Sequence, residues 1–256
     1  MSSLAPARWP SLRSLRQASA PPRISAVVPA FNEAAVIADV VRRSAQALLD
    51  LGIPDPQVIV VDDGSTDATA RLASETGVTG VTLDVLSHPA NRGYGAALRS
   101  GFDAATGDAI WLLDGDGQFD PADLAALLRH YADDCVVAGF RIRRNDPAIR
   151  RLNQAAFFTL VRLLFGPTVR DVNCGFKLFP RAVATGLGMD GALISTQLVL
   201  RARRAGYRMV DVGVPHYPRR TGHATGATPR VVARAFFELG RMARDRSLLN
   251  GLPPPS

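Results

Sequence analysis

Pairs of acidic side chains follow apolar runs of this chain, at points where a strand would end. Asp62 and Asp63 come directly after one such run, and Asp114 and Asp116 follow another. Ionised carboxylates gathered at one edge of a sheet repel each other unless a cation or a donor-rich ligand lies between them. Two carboxylates one residue apart suit a hard cation such as Mg²⁺, which completes its octahedron with water and substrate phosphates. The pattern predicts chemistry on a metal-bound nucleotide.

Other sites with similar residues fit the chain less well. A calcium-binding EF-hand loop beginning at Asp114 would need Gly at its sixth position and Glu at its twelfth, where Phe119 and Ala125 stand. Gly93 and Gly95 lack the third glycine of a dinucleotide-binding G-x-G-x-x-G motif. Taken alone, the Asp-Gly-Asp-Gly run could also be a solvated turn.

The elements that must position these acids alternate along the chain. From residue 23 onward, short β-branched runs alternate with helical patterns, which is typical of a mainly parallel sheet flanked by helices. Ligands of such sheets bind at the carboxyl ends of the strands. Strands are predicted at 24–28, 58–61, 81–86, 109–113, 136–139 and 209–212. Helices are predicted from about 33, from about 66, at 96–105, at 122–131, after 146–147, at 197–204 and at 230–244.

Composition indicates a folded α/β protein with a substantial core. The 256 residues are 47% hydrophobic and 21% charged, and 30 Lys and Arg against 23 Asp and Glu give a net charge of +7. Aromatic residues are 7%, fewer than a nucleic-acid-binding surface would favour, so no nucleic-acid partner is expected. The two cysteines form no C-x-x-C pair, which argues against structural zinc and fits a reducing, cytoplasmic location.

The chain is expected to form one domain between two less regular ends. Residues 1–22 are basic and lack the apolar core of a secretory signal, so they are predicted to be a flexible tail. Residues 23–228 are predicted to form the domain, and 229–256 an amphipathic helix with a loose tail. That helix groups Arg230, Arg234, Arg241 and Arg244 opposite Val232, Phe236, Leu239 and Ala243. It could lie on an anionic membrane or pack on its own domain.

Seven short motifs stand in order along the domain. They are 29–33 (PAFNE), 62–67 (DDGSTD), 91–95 (NRGYG), 114–118 (DGDGQ), 139–141 (GFR), 171–177 (DVNCGFK) and 218–222 (PRRTG). Together they resemble the inverting family 2 glycosyltransferases of the GT-A fold, closest to the polyprenyl-phosphate hexosyltransferases of the dolichol-phosphate mannosyltransferase type. The resemblance implies a GT-A, Rossmann-like single domain and an enzyme that uses a nucleotide sugar with Mg²⁺ or Mn²⁺.

The resemblance also assigns roles to residues of the first four motifs. It places Asp63 against the nucleotide base with Asp62 shaping the loop, Asp116 on the metal, and Asp114 on the ribose or sugar and in the metal site. Gln118 would contact the sugar or the metal's shell, although a role in the turn is an alternative. The remaining residues expected to line the donor pocket are Pro29, Ala30, Glu33 and Gly115.

In the later motifs the resemblance implies a phosphate-binding role for Arg141 and for Arg219, with Arg220 as the alternative to Arg219. A guanidinium binds a diphosphate in bidentate fashion, which an ammonium cannot do. In many family 2 enzymes that act on hydroxyls, the segment corresponding to 194–197 carries an acidic base. Here it holds Gln197, which cannot accept a proton at neutral pH.

A hydroxyl acceptor needs a general base, whereas a phosphate monoester is already anionic. The expected reaction is therefore inverting transfer of a hexose from a GDP-mannose or UDP-glucose type donor to a polyprenyl phosphate. Asp171 and Asp190 remain candidate bases that would weaken this expectation. The alternatives are transfer to a saccharide or glycolipid hydroxyl, and a nucleotide-sugar-binding protein without activity. A lipid acceptor implies peripheral contact with the cytoplasmic face of a membrane.

Overall fold

The computed structural model describes residues 21–142, 148–166, 168–189, 191, 193–219 and 229–255, with 148–154 and 229–234 described by backbone alone. Within these ranges, seven strands form one sheet, flanked by seven α-helices. The strands are β1 Ile24–Ala30, β2 Gln57–Asp62, β3 Thr82–Ser87, β4 Ala109–Leu113, β5 Cys135–Ile142, β6 Phe176–Pro180 and β7 Arg208–Pro215. The helices are α1 Ile37–Asp50, α2 Thr69–Ser74, α3 Tyr94–Ala104, α4 Leu124–Leu128, α5 Ala148–Phe165, α6 Ile194–Arg204 and α7 Pro229–Arg244.

The strand order is β3-β2-β1-β4-β6-β5-β7. The β1–β2, β2–β3, β1–β4 and β5–β7 pairs are parallel, whereas β6 runs antiparallel to both β4 and β5. Six strands therefore end at the same edge of the sheet, and β6 begins there. We call this edge the carboxyl edge.

Both faces of the sheet are covered, and this explains why the central strands are apolar throughout. In β2, Val58 and Val60 pack into the core under α1, while Ile59 and Val61 pack into the core on the other face, with α3 and α6. A strand buried on both faces reads as a continuous apolar run. The α/β fold with a mainly parallel sheet, predicted from that pattern, is confirmed.

Two helices begin later than predicted, because the residues before them bond to each other. The α1 helix begins at Ile37 rather than near Glu33, and α2 at Thr69 rather than near Thr66. Asn32, at a positive φ of 55°, accepts a hydrogen bond from the Thr66 N–H at 2.8 Å, and the Glu33 N–H donates to the Thr69 hydroxyl at 2.8 Å. These contacts join the two loops just before the helices begin.

The strand β6 was not predicted from the sequence. Its segment carries the charged Lys177 between apolar neighbours and ends at Pro180, which obscured the strand signal. A second difference is that β1 continues through Pro29 to Ala30, whereas Pro29 was predicted to end it. The β4 partner of β1 stops opposite Val27, so Pro29 lies beyond that ladder, where the missing N–H matters less.

The α7 helix packs on the domain. Leu239 and Met242 are buried, while Phe237 is 72% exposed, and the Phe236 ring meets Phe157 of α5 edge-on at 6.0 Å. Among the residues described, no helix combines the length and the apolar character needed to cross a membrane. The helix buries one side on its own domain and leaves an aromatic side chain exposed. The predicted tail, 1–22, lies almost wholly outside the described residues, and the three-part division of the chain stays a prediction.

Candidate functional site

Loops from both sides of the sheet meet at its carboxyl edge. Acids follow β1, β2 and β4, and the loop before antiparallel β6 arrives at the same place, since the Asp114 N–H donates to the Gly175 carbonyl at 3.0 Å. Arg141 lies near the end of β5, and Arg219 follows β7. The edge thus collects residues that are up to 186 positions apart in the sequence (219 minus 33).

The loops after β1, β2 and β3 are held together by Asp63. Its carboxylate accepts hydrogen bonds from the N–H groups of Arg92 at 2.9 Å and Gly93 at 2.7 Å, and contacts Nδ1 of His88 at 2.7 Å. The Asp63 N–H donates in turn to the carbonyl of Ala30 at 2.9 Å. Asp63 therefore fixes the loop before α3. Its predicted contact with a nucleotide base stays a prediction.

Asp62 and Pro29 shape the floor of this region. An Asp62 carboxylate oxygen accepts a hydrogen bond from the Ser65 N–H at 3.3 Å, and its role in shaping the donor loop stays a prediction. The Gly115 N–H donates to the Pro29 carbonyl at 3.2 Å. A side chain at Gly115 would meet that carbonyl, because a Cβ there would lie 2.7 Å from it. Glycine lets the β4 loop approach the end of β1 this closely.

Asp114 sits against the backbone of the loop before β6. A Cβ on Gly175 would lie 1.9 Å from an Asp114 carboxylate oxygen, so residue 175 must be glycine for this carboxylate to fit. The other carboxylate contact is the Tyr94 hydroxyl, which donates at 2.9 Å. Burial, followed by the nearby charge of Asp116, raises the pKa of Asp114 above its usual range. A cation at this position would favour its ionised form.

Arg219 joins Glu33 to Asp116. The same guanidinium nitrogen, Nη2, lies 3.0 Å from Oε1 of Glu33 and 3.0 Å from Oδ2 of Asp116. Burial raises the pKa of Glu33 to about 7, against the opposing effect of Arg219, and the carboxylates Asp116, Asp67 and Asp114 raise it further. The acids at this edge are thus mutually destabilised as anions, and Arg219 relieves part of that repulsion.

Gln118 pins the Arg219 loop to the β4 loop. Its side-chain amide donates to the Tyr217 carbonyl at 2.8 Å, and the Tyr217 N–H donates to the Gln118 carbonyl at 2.8 Å. Beside them, the rings of Phe119 and His216 meet edge-on at 5.0 Å. The alternative role of Gln118 in loop structure is observed, and its contact with the sugar stays a prediction.

Arg141 and Asp171 form a bidentate ion pair on the other side of Asp114. The guanidinium donates to the carboxylate at 2.8 and 3.1 Å, and the two side chains are 10% and 12% exposed. Lys177 lies buried behind them and donates from Nζ to the Cys174 carbonyl; burial lowers the pKa of its ammonium. Burial also raises the pKa of the Cys174 thiol to about 12, so this cysteine is no thiolate nucleophile at neutral pH.

Tyr94 and Lys177 were missed as parts of the site, although both lie in motifs found in the sequence. Tyr94 begins α3, and its hydroxyl donates to Asp114 at 2.9 Å. Lys177 is the single lysine among 30 basic residues. That rarity was the available signal, because a lone lysine in an arginine-rich chain suggests that the ammonium is needed there.

The observed hydrogen bonds of Gln197 are made to residues outside the carboxyl edge. Its amide oxygen accepts from the N–H groups of Gly188 and Met189 at 3.1 Å each, and its amide nitrogen donates to the Leu248 carbonyl at 2.8 Å. Buried with these partners, it ties α6 to the segment after α7. The structure thus gives Gln197 a positioning role and does not bring it to Asp116. Arg220 and Asp190 lie outside the described residues.

Comparison with known proteins identifies the family. Residues 25–188 match the model of Glycosyl transferase family 2, which is more than half of the chain. The chain belongs to glycosyl transferase family 2. The matched region contains the first six of the seven motifs, through 171–177.

Curated relatives of this family 2 domain are longer than the chain. An undecaprenyl-phosphate 4-deoxy-4-formamido-L-arabinose transferase of Pseudomonas aeruginosa is 29% identical over 219 residues, 83% of this chain and 63% of that protein. Glycosyltransferase AglD of Haloferax volcanii is 30% identical over 207 residues, 77% of this chain and 33% of that protein. The chain therefore spans less than two thirds of these relatives.

Solved structures share the GT-A fold. Glucosyl-3-phosphoglycerate synthase of Mycobacterium tuberculosis, crystallised with Mg²⁺ and UDP, superposes with a TM-score of 0.67 at 24% identity, covering 85% of this chain and 79% of that one. The same enzyme has been crystallised with Mn²⁺, UDP-glucose and phosphoglyceric acid (TM-score 0.66, 24% identity, 86% and 80% covered). At this identity the likeness establishes the fold, and the GT-A prediction is confirmed.

A divalent cation fits the Asp114–Asp116 pair of this family 2 domain. No group of three or more His, Cys, Asp or Glu side chains within the described ranges is arranged to hold a metal. The pair nonetheless has the donors that Mg²⁺ and Mn²⁺ use with phosphate ligands, one or two carboxylates and open positions for the substrate. Asp116 already holds a cationic nitrogen at 3.0 Å. The donor set is therefore compatible with a two-carboxylate metal site.

Proposed function

We propose that this protein transfers a hexose from a nucleotide sugar of the GDP-mannose or UDP-glucose type to a polyprenyl phosphate, with inversion and with the help of Mg²⁺ or Mn²⁺. Support for the donor comes from the acidic β4 loop beside an arginine from the β7 loop. Asp114 and Asp116 would hold the cation, which neutralises the charge of the departing diphosphate when bound. Arg219 would bind that diphosphate through its guanidinium.

The observation that carries the acceptor assignment is the Arg141–Asp171 pair. A base for a hydroxyl acceptor must be free to take a proton, but both carboxylate oxygens of Asp171 accept from Arg141. A bidentate arginine stabilises the ionised carboxylate and weakens it as a base. Ser195 and Gln197, in the segment where many relatives carry a base, have no carboxylate. An acceptor that is already anionic removes the need for a base.

The same pair suggests how a phosphate would be held. The Arg141 side chain is 10% exposed and lies at the end of β5, at the edge where Asp114 sits. An anionic acceptor arriving there would meet the guanidinium and could share it with Asp171. The names of the undecaprenyl-phosphate relatives agree with such an acceptor. Transfer to a saccharide or glycolipid hydroxyl, and a non-catalytic nucleotide-sugar reader, are the two outcomes against which this proposal is tested.

The deciding experiment is transfer from radiolabelled GDP-mannose and UDP-glucose to a short polyprenyl phosphate, with Mg²⁺ or Mn²⁺. Product in the organic phase that disappears in Asp116→Ala is the expected result. Metal-dependent release of free hexose without lipid product would redirect the acceptor to hydroxyls. Tight donor binding without any turnover would favour the non-catalytic reader.

A lipid acceptor requires contact with a membrane surface, and exposed apolar side chains of α5 and α7 are the candidates for that contact. Leu163 and Phe237 are 78% and 72% exposed on these two adjacent helices, and Arg162 and Arg241 are exposed nearby in sequence. Apolar side chains between arginines suit the interface of an anionic bilayer. We propose peripheral attachment at the cytoplasmic face.

Flotation with anionic liposomes tests this surface. Deleting α7 would remove the buried Leu239 and Met242, so the test uses Leu163→Ser with Phe237→Ser. Reduced flotation of the double variant is expected, with the exposed Arg71→Ser as a control. Equal flotation of both variants and the wild type would reject this surface as the docking site.

A further inference from the structure

The guanidinium of Arg219 contacts Asp116, one of the two carboxylates that would hold the metal. One nitrogen, Nη2, is 3.0 Å from oxygens of both Asp116 and Glu33. Arg219 side-chain exposure is 24%, against 16% for Asp116 and 8% for Glu33. A cation held at 3.0 Å from two poorly exposed carboxylates is the arrangement expected where like charges need a counter-charge.

The segment that carries Arg219 is held firmly in this position. Two hydrogen bonds of 2.8 Å join Tyr217 to Gln118, which is two residues from Asp116. His216 packs on Phe119 next to them. Because the attachment involves backbone and ring contacts beyond the ion pair itself, Arg219 is presented to Asp116 by the fold of its loop.

Two cations cannot use Asp116 Oδ2 equally well at once. A divalent ion bound there would lie within a few ångströms of the guanidinium and would repel it. A nucleoside diphosphate changes this balance, because its phosphate oxygens offer a bidentate partner that suits a guanidinium better than a shared carboxylate does. The diphosphate would draw Arg219 away from the acids and bring its own oxygens to the metal.

We propose that Arg219 competes with the divalent cation for Asp116 and Glu33, so that the site takes metal strongly only together with a nucleoside diphosphate. This inference rests on the proposed function for its metal–nucleotide donor and adds a positioning role for Arg219 in the absence of that donor. By linkage, Arg219 opposes the metal alone and favours the diphosphate. Free metal would thus be excluded from the acids until the donor arrives.

The test is direct binding of Mn²⁺ alone and of UDP and GDP alone to the full chain, by calorimetry, without any acceptor. Arg219→Gln is expected to bind Mn²⁺ alone at least about fivefold more tightly than the wild type, and to bind the diphosphate at least about fivefold more weakly. Addition of a diphosphate should tighten Mn²⁺ binding in the wild type by more than in the variant. Arg219→Lys, which keeps the charge but loses the planar fork, should bind Mn²⁺ less tightly than Arg219→Gln.

Two controls separate this competition from a general loss of positive charge. Arg208→Gln removes an exposed arginine that pairs with Asp134 at 2.8 Å, at the opposite end of β7 from the Arg219 loop. Arg141→Gln removes an arginine at the same edge that is bonded to Asp171. Both should bind Mn²⁺ alone much less tightly than Arg219→Gln does. The inference is overturned if Arg219→Gln binds Mn²⁺ no more tightly than the wild type, or if Arg141→Gln tightens Mn²⁺ binding equally.

Failure of the proposed function would look different. A protein without transfer to any lipid phosphate could still show tighter Mn²⁺ binding in Arg219→Gln, which would retain the inference and reject the acceptor. Transfer to polyprenyl phosphate with unchanged Mn²⁺ affinity in Arg219→Gln would retain the function and reject the inference. Thermal unfolding of each variant without ligand confirms that the binding data come from folded protein.

Discussion

The two halves of the sheet build the same edge from opposite charges. Strands β1 to β4 deliver acids, among them Glu33, Asp114 and Asp116, held in place by neighbouring loops. Strands β5 to β7 and their loops deliver Arg141 and Arg219, each paired with a carboxylate. Arg219 forms ion pairs that cross from the second half to the first, alongside the hydrogen bonds of Gly175 to Asp114 and of Tyr217 to Gln118. The difference shows that the carboxylates of the first half repel each other and that arginine from the second half neutralises part of this negative charge.

Removing Asp116, the proposed metal ligand, should have the largest effect, because Asp116 is the acid of the first half that Arg219 of the second half contacts. In Asp116→Ala we expect transfer to fall at least about a thousandfold, since charge stabilisation on the leaving group is lost. Steady-state kinetics with saturating Mn²⁺ measure this. Asp134→Ala, in an exposed ion pair, serves as the control, and loss within tenfold in Asp116→Ala would contradict the assignment.

Replacing Arg141, in the second half, should weaken use of the acceptor more than use of the donor. Arg141→Gln is expected to lower kcat/KM for polyprenyl phosphate by about 30- to 100-fold, because a phosphate loses its guanidinium. The KM for the nucleotide sugar should stay nearly constant. The decrease in kcat/KM for polyprenyl phosphate should be about tenfold smaller in Asp171→Asn than in Arg141→Gln. If Asp171→Asn abolishes turnover instead, Asp171 is a base and the phosphate acceptor is in doubt.

The contact between the two halves at Asp114 and Gly175 can be disturbed without changing a charge. Gly175→Ala places a Cβ 1.9 Å from an Asp114 oxygen, so Asp114 or the β6 loop must move. Such overpacking typically lowers the free energy of unfolding by about 1–3 kcal/mol. Gly188→Ala, where a Cβ meets nothing within 4 Å, should change it by less than about 1 kcal/mol. Urea denaturation compares the two, and equal stabilities would show that the fit of Asp114 against Gly175 is loose.

An effect of similar size is expected as a pH dependence of stability in the acidic half. The pKa of Glu33 is raised from 4.5 to about 7, chiefly by burial. An acid whose pKa is higher in the folded state than in the unfolded state stabilises the fold when it is protonated. The contribution of Glu33 to stability is therefore fully present below pH 4.5 and is lost as the pH rises through about 7. The free energy of unfolding should fall over that window by roughly 1–3 kcal/mol.

Glu33→Gln should flatten this dependence in urea titrations at pH 4.5, 6 and 7.5. The exposed Glu75, paired with Arg71 on α2, gives the matched control, because Glu75→Gln should leave the slope unchanged. A wild-type slope that persists in Glu33→Gln would mean that other buried acids, such as Asp114, produce it.

Local patterns predicted the strands of the first half of the molecule better than the starts of its helices. The strand Ala109–Leu113 was predicted with its observed ends, and the acids after β2 and β4 were expected at one edge because parallel strands end together. The starts of α1 and α2 were misplaced, since the bonds of Asn32 and Glu33 to the β2 loop are long-range contacts that no local pattern contains.

The second half resisted prediction for a different reason. Strand β6 is five residues long, contains a buried lysine and runs against its neighbours. Nothing in its own residues indicates that it inserts between β4 and β5. Because β6 begins at the edge where the other strands end, the loop before it brings Gly175 against Asp114 and Asp171 against Arg141. Gln197, expected in the catalytic segment, is instead occupied by backbone partners from two distant segments.

The sequence by itself determined the fold class, the acidic loops and the family, because apolar periodicity and short motifs are local properties. Only the tertiary structure decided which charges meet. It paired Arg141 with Asp171, placed Arg219 on both Glu33 and Asp116, and buried Lys177 behind them. The physical reason is that an ion pair depends on distance in space. Residues 116 and 219 are 103 positions apart in the sequence, and the folded sheet brings their side chains to 3.0 Å.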